Sequence, residues 1–391
     1  MSVGLIIPPG GSTVTVPVPS RSNLLRNGGF WFAQVRNPAV SSAVGSTTLR
    51  SISADGWGVT DENANVEYQR IDTNAAPEAG FGGRYYGQFK KITSNGKATI
   101  TQAIESIDCQ FCRGNTVRVQ VRLKANVAGA TYRLGLIQLA AAGTVDTIPA
   151  REVGSWVSAW GAASTDPTLT AGNNTAYIAP NATNLENTTV VGNALNCVVT
   201  TAWQRFGGTF NVPTDCHNLI VAIWSDAQVP TNDGVSIAEA SLTIGVDIVD
   251  WAPLSYDLEL LRCQRFILKT FDVDTVPAQN AGVTSTLRGI AGKATTNASA
   301  LFLIWRFPVP MFRTGLSDAA PFASLGVTRY NPSAANTLAR NFTTGADMGA
   351  ATGNIITGRN GCQFQCAGVS GGSASAVGDN CGIHLLIFGE L

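Results

Sequence analysis

Five runs between residues 98 and 245 alternate apolar and polar positions with a period of two: "ATITQAI" (98–104), "TVRVQVRLKA" (116–125), "TYRLGLIQLA" (131–140), "LIVAIWS" (219–225) and "VSIAEASLTIG" (235–245). Successive side chains of a strand point to opposite faces. Runs of this kind, bounded by Gly, Asn and Pro, therefore predict half-buried antiparallel strands stacked as a sandwich. The interval 161–193 is polar and weakly patterned, which predicts a long surface excursion. Beyond residue 266 a second strand-rich stretch contains "STLRGIAGKAT" (285–295), "ASALFLIWRFPVPM" (298–311) and "CGIHLLIFGEL" (381–391). Its apolar run "ALFLIW" predicts a central strand covered on both faces.

One stretch breaks the period of two. In "SYDLELLRCQRF" (255–266), with the leucine just before it, Leu254, Leu258, Leu261 and Arg265 recur at roughly one helical turn. This spacing predicts a short helix that buries Leu258 and Leu261 under one sandwich and leaves Arg262 and Gln264 to solvent. The same helix would deliver Phe266 into the first strand of the next sandwich. The expected fold class is all-β: two jelly-roll-like β-sandwich domains joined by a short helix, with an extended N-terminal arm. The expected divisions are 1–22 for the arm, 23–254 for the first sandwich, and 255–391 for the helix and second sandwich. A length of 391 residues agrees, because it exceeds what one core usually organises. Valines alternate in the arm segment "STVTVPVPS" (12–20), but its prolines bar it from a sheet interior. The arm is expected to pack as an extended edge or anchor on a partner.

Composition narrows the function classes. Charged residues make up 13% of the chain, and 26 basic side chains balance 26 acidic ones. No basic stripe stands out, so nucleic acid is not an expected partner. Low charge with 41 glycines suggests tight turns and a surface that associates, which favours an oligomer. The opening "MSVGLIIPPGG" has no basic leader and no apolar run of membrane-spanning length, so neither a signal peptide nor membrane insertion is expected.

Candidate chemistry is sparse. The eight cysteines include a C-x-x-C pair, Cys109 and Cys112, and a C-x-x-x-C pair, Cys362 and Cys366. These pairs lie far apart in the chain and do not make a zinc ribbon; neither metal nor cofactor is expected. The cysteines read as small buried hydrophobes, with one or two late disulfides left open. His217 and His384 are the only histidines, and no G-x-S-x-G surrounds a serine. The carboxylates are scattered, and neither a phosphate loop nor a dinucleotide fingerprint occurs. No catalytic residue is assigned, and an enzyme is not expected. The aromatic residues are more informative. Trp57, Trp203, Trp224 and Trp305 lie in strand-like contexts and are expected in the core. Tyr85, Tyr86, Trp156 and Trp160 flank Gly- or Ser-rich loops, and are the candidates for an exposed platform against which the C–H face of a sugar ring packs. Five Asn-x-Ser/Thr sequons read as turns.

Three sets of motifs resemble known proteins. "NLLRNGGFWF" (23–32), followed by "ADGWGV" (54–59), resembles the start of jelly-roll carbohydrate-binding modules. "GTVDTIPAREVGSW" (143–156), "TAWQRFGGTFNVPTDCHNLIVAIWSD" (201–226) and "VSIAEASLTIG" are similar to later segments and closing strands of the same module. Glu259, Leu260, Cys263, Gln264, Arg265 and Phe266 match a Glu-Leu-x-x-Cys-Gln-Arg-aromatic joint, and "FPVPMFR" (307–313) and the terminal "IFGEL" match the sandwich after it. In this order the motifs resemble bacteriophage tail-fibre and related virion structural proteins. The joint departs from the family in having Phe266 and Ile267 where a tyrosine pair is common. The resemblance implies a virion location reached from the host cytoplasm, and contact with host surface polysaccharide. It also implies a homotrimer attached to other virion proteins through the N-terminal arm. The alternatives are a capsid decoration or baseplate component without a sugar ligand and, third, a polysaccharide-degrading enzyme.

Overall fold

Strands form where the sequence alternates. The computed structural model describes residues 23–34, 51–52, 54–62, 66–74, 78–91, 95–140, 157–169, 175–271, 290–293, 301–310, 326–330, 339–341, 347–348, 352–358, 361–367 and 380–388. The predicted arm (1–22) and Trp156 lie outside these residues. Strands Ala98–Ile104 and Thr116–Ala125 coincide with their predicted spans, and Ala130–Leu139, Asn218–Ser225 and Gly234–Ile244 differ by one residue.

The fold is all-β, and its strand pairings are antiparallel. One sheet of eight strands has Ala98–Ile104, Asn218–Ser225 and Ala130–Leu139 at its centre. The facing sheet of five runs in the order Gln204–Asn211, Thr116–Ala125, Gly234–Ile244, Tyr85–Lys91, Val66–Asp72. Alternate residues of both sheets meet in one core, where Leu134, Leu136, Val221 and Ile223 face Val119, Val121, Phe206 and Ile237. Trp57 and Trp224 are fully enclosed and Trp203 is buried, as expected; Trp305 is only half-buried, edge-on to Phe307 at 5.3 Å.

The outer face of the eight-stranded sheet is not wet. Ile137, Leu139, Ile220 and Trp224 pack there with Phe266 and Ile267, and with half-buried Trp160 and Tyr177. The described residues of 161–193 lie largely at the surface, as expected of an excursion, but they are not without strands. That interval contributes the short strands Thr168–Leu169, Thr175–Ile178 and Thr189–Val191, two of which extend the sheet. Its polar character hid them because several of their side chains lie on the solvent side of the layer they add.

The later strands form a six-stranded sheet around Asn380–Phe388 and a three-stranded sheet. Ile267–Lys269 pairs with Asn380–Phe388, so the joint does feed a new sheet. Leu301–Arg306 pairs with Gly361–Ala367 and stands at the end of the three-stranded order among the described residues, not at its centre as its apolar run suggested.

The helix Tyr256–Gln264 forms as predicted but is turned the other way. Leu258 and Leu261 are 55% and 37% exposed, whereas Glu259, Cys263 and Phe266 are buried. The reason lies in the surface the helix meets, which is polar backbone rather than apolar side chains. Residues 23–32 turn tightly, with Asn27 and Phe30 at φ 50° and 56°. Positive φ is tolerated by Asn and costly for Phe, so this turn has to be held by its surroundings. The Glu259 carboxylate accepts the Asn27 backbone N–H. Arg262, expected in solvent, donates through Nη2 to the carbonyls of Asn23 (3.1 Å) and Leu24 (3.2 Å). Arg265 donates to Glu105 at 2.8 Å, and the Arg26 guanidinium lies 3.6 Å over the Phe266 ring. Gly28 is required at this turn because a Cβ there would collide with the Ala240 carbonyl oxygen.

This orientation sets the expected mutational pattern. Phe266→Ala should cost about 3–5 kcal/mol. Glu259→Ala should cost roughly 1–3 kcal/mol by leaving a buried N–H without its acceptor. Leu258→Ala and Leu261→Ala should stay within about 0.5 kcal/mol of the parent. Denaturant melts of the four variants check this; larger losses at the leucines than at Phe266 would restore the opposite helix face.

Candidate binding cleft

The outer face of the five-stranded sheet, beside the joint helix, carries an open cleft of about 700 Å³. That size lies within the usual range of small-molecule sites. Trp31, Trp251 and Tyr256 supply its aromatic surface, and Arg122, Arg205 and Glu239 supply much of its polar surface. Gly82, Gly83, Arg84 and Tyr85 complete one rim, with Asp250 and Pro253 on another.

Each side chain is placed by a feature already met. Trp31 follows the left-handed turn at Phe30 and stacks on Tyr256, the first residue of the joint helix, at 6.2 Å and 23°. Phe32 closes on the same tyrosine at 4.9 Å. Gly29 lets the Trp251 ring lie against the chain, since a Cβ there would come within 2.7 Å of it. Arg122 and Arg205 alternate with core residues of their paired strands, which aims them away from the core. Glu239 sits at φ 48° where the pairing register between Gly234–Ile244 and Thr116–Ala125 shifts. A bulge of this kind re-aims a side chain. It also docks the N-terminal turn, because Ala240 N–H donates to Gly28 O at 3.0 Å and Ala240 O accepts from Asn23 Nδ2 at 2.8 Å.

The charges in the cleft are paired. Arg122 Nε lies 2.6 Å from Glu239 Oε2, and Arg205 Nη1 lies 2.7 Å from Asp250 Oδ1. Arg205 also donates to Glu186, and that hydrogen bond, opposed by burial and aided by Asp250, makes the guanidinium hold its proton more tightly than usual. Arg84 donates to Asp72 at 3.1 Å and keeps that carboxyl below the ordinary aspartate range.

Of the four aromatic residues expected to form a platform, Tyr85 lies in the cleft. Tyr86 is corrected: it is 4% exposed, in a cluster with Phe81 and Trp203. Segment 78–84 folds back over the strand and covers it. Phe81 stacks on Trp203 at 4.9 Å, and Tyr86 meets Trp203 edge-on at 5.2 Å. Trp160 packs against the far sheet's outer face, away from the cleft-lining residues, and Trp156 is outside the described residues. Sequence reasoning missed Trp31, Trp251 and Tyr256. Their available signal was aromatic residues outside any alternating run, in "FWF" (30–32) and, beside the joint, in "DWAPLSYD" (250–257).

Among the described residues no three His, Cys, Asp or Glu side chains are grouped to hold a metal, and no helix is long and apolar enough to cross a membrane. Cys109, Cys112, Cys197, Cys216 and Cys263 are free and buried. Burial pushes the Cys216 thiol up to about 12, and that of Cys109 well above the usual range. The backbones of Cys362, Cys366 and Cys381 lie in strands, with their side chains outside the description.

Glu78 ties the Tyr86 cluster together. It accepts from Tyr86 Oη at 2.6 Å, from Trp203 Nε1 at 2.9 Å and from Lys124 Nζ. Burial alone would raise its carboxyl, but these hydrogen bonds and the Lys124 charge hold it below the ordinary glutamate range. A depressed carboxyl stabilises the fold above its unfolded value, and the contribution is lost as pH falls through the folded one. The melting temperature should therefore drop on acidification through and below the glutamate range. Glu78→Gln should start lower at neutral pH and show a shallower acid slope, and equal slopes would remove Glu78 from the account.

No protein-family model matches the chain, and no curated protein does. Solved structures overlap it in part. The carbohydrate-binding module TmCBM61, solved with β-1,4-galactotriose, is 12% identical over 57% of this chain and 99% of its own, with a TM-score of 0.30. A putative sugar-binding protein from Bacteroides thetaiotaomicron is 12% identical over 57% of this chain and 100% of its own, with a TM-score of 0.32. The enzymatically active domain of bacteriophage CBA120 tailspike protein 4 is 14% identical over 57% of this chain, with a TM-score of 0.29; the match spans only 21% of that domain.

Proposed function

We propose that this chain is a structural protein of a bacteriophage virion, of the tail-fibre type, that holds host surface polysaccharide in the cleft beside the joint. The observation that carries the glycan reading is the cleft itself, in which Trp31, Trp251 and Tyr256 stand beside the fixed pairs Arg122–Glu239 and Arg205–Asp250. Aromatic surface packs the C–H faces of sugar rings, and fixed donors and acceptors take their hydroxyls. The virion reading is supported by the sequence resemblance. Its two strongest motifs, "NLLRNGGFWF" and "ELLRCQRF", pack against each other through Asn27 and Glu259. A homotrimer belongs to the same reading, because single-site sugar contacts are weak and linked copies multiply them.

Trp251→Ala and Tyr256→Ala should each weaken retention on host-surface polysaccharide by roughly tenfold. Both residues sit outside the core clusters, so the melting temperature should stay within a few degrees of the parent. Whole-cell adsorption and affinity electrophoresis check this. Undiminished adsorption by both variants would favour the architectural alternative.

A further inference from the structure

Resting on the cleft as a glycan site, we propose that it takes a neutral sugar chain and discriminates against acidic ones, with the Arg122–Glu239 pair reading two neighbouring ring hydroxyls. Three arginines line the cleft, and each is already matched by a carboxylate: Arg84 by Asp72 at 3.1 Å, Arg122 by Glu239 at 2.6 Å, and Arg205 by Asp250 at 2.7 Å. The positive potential of these three guanidiniums is therefore offset where it arises, and a fourth, Arg70, is turned onto the Trp31 carbonyl at 2.5 Å. An acidic sugar would have to break an ion pair and strand its carboxylate, or approach Asp250, whose side chain is 96% exposed at the rim. Like charges brought together in this way oppose binding.

A neutral diol faces no such penalty. Each hydroxyl both donates and accepts, so one of two neighbouring hydroxyls can accept from a guanidinium N–H while the other donates to the carboxylate, and the ion pair stays intact. Glu239 is held for this role before any ligand arrives. Its bulge conformation, at φ 48°, is fixed by the Ala240 backbone bonds to Gly28 and Asn23. Strained backbone maintained by its surroundings is a recurrent mark of binding sites. The Tyr85 ring already has the guanidiniums of Arg70 and Arg84 over it, at 4.8 Å and 4.9 Å. That leaves Trp31, Trp251 and Tyr256 as the apolar surface for a sugar ring.

The test titrates the full-length protein with hexamers of glucose, galactose and mannose, and with hexamers of galacturonate and mannuronate, at about 50 and about 500 mM salt. At least one neutral hexamer should bind with an affinity that changes less than about twofold with salt, and the acidic hexamers at least tenfold more weakly. Glu239→Gln should weaken the neutral ligand roughly tenfold. Asp250→Asn, at an exposed position that leaves the fold intact, should raise acidic-hexamer affinity several-fold at low salt only. An acidic hexamer bound more tightly than every neutral one, and released by salt, would overturn this inference. If Tyr256→Ala abolished that binding, the cleft would remain the glycan site. Binding of no hexamer of either class would overturn both readings.

Discussion

Residues 23–32 run beside strand Gly234–Ile244, with Leu24 N–H donating to Leu242 O at 2.9 Å, in a turn that puts two non-glycine residues, Asn27 and Phe30, into left-handed backbone. Sheet backbone pairs only part of this turn, at Leu24 N–H and Gly28 O, and side chains pair further buried peptide groups. The Asn27 side chain donates to Phe32 O at 2.7 Å and accepts Phe32 N–H at 3.0 Å. Gln102 exchanges two hydrogen bonds with the Arg26 backbone, at 2.6 and 2.8 Å. Glu259 and Arg262 reach in from the joint helix to take Asn27 N–H and the carbonyls of Asn23 and Leu24. A buried peptide group without a partner is expensive, so this knot fixes where the helix sits and which of its faces looks inward.

The cleft follows from the same knot. Phe30 is enclosed in the core, stacked on Trp57 at 5.4 Å, and its backbone turn leaves Trp31 pointing out of the sandwich. Docking the helix by Glu259 brings Tyr256 onto Trp31, and Gly29 makes the space that Trp251 fills. The aromatic surface is thus assembled from the first residues of the sandwich and from the segment that leads into the joint helix. The polar side comes from the outer face of the five-stranded sheet, where Arg118, Gln120, Arg122 and Lys124 line one strand, opposite the core valines. Glu186, Glu239 and Glu78 meet these side chains in turn.

The sequence by itself determined the long alternating strands, the antiparallel class and the position of the helix, because alternation along a strand and spacing along a helix are local properties. "TVRVQVRLKA" can bury its valines in only one way, and the strand ends fall where the pattern ends. It also marked the two motifs at residues 23–32 and 259–266 as significant without showing that they touch. Only the tertiary structure decided which face of the helix is buried. Helical spacing proposes Leu258 and Leu261 as readily as Glu259 and Cys263, and the choice was made by unpaired backbone more than two hundred residues away in the chain. The same holds for the aromatic residues. Tyr85 and Tyr86 are neighbours in a strand and so face opposite ways, and a covering segment buried one while the joint left the other in a cleft. Exposure of a ring depends on what folds over it, and that is a property of the packed chain rather than of its local sequence.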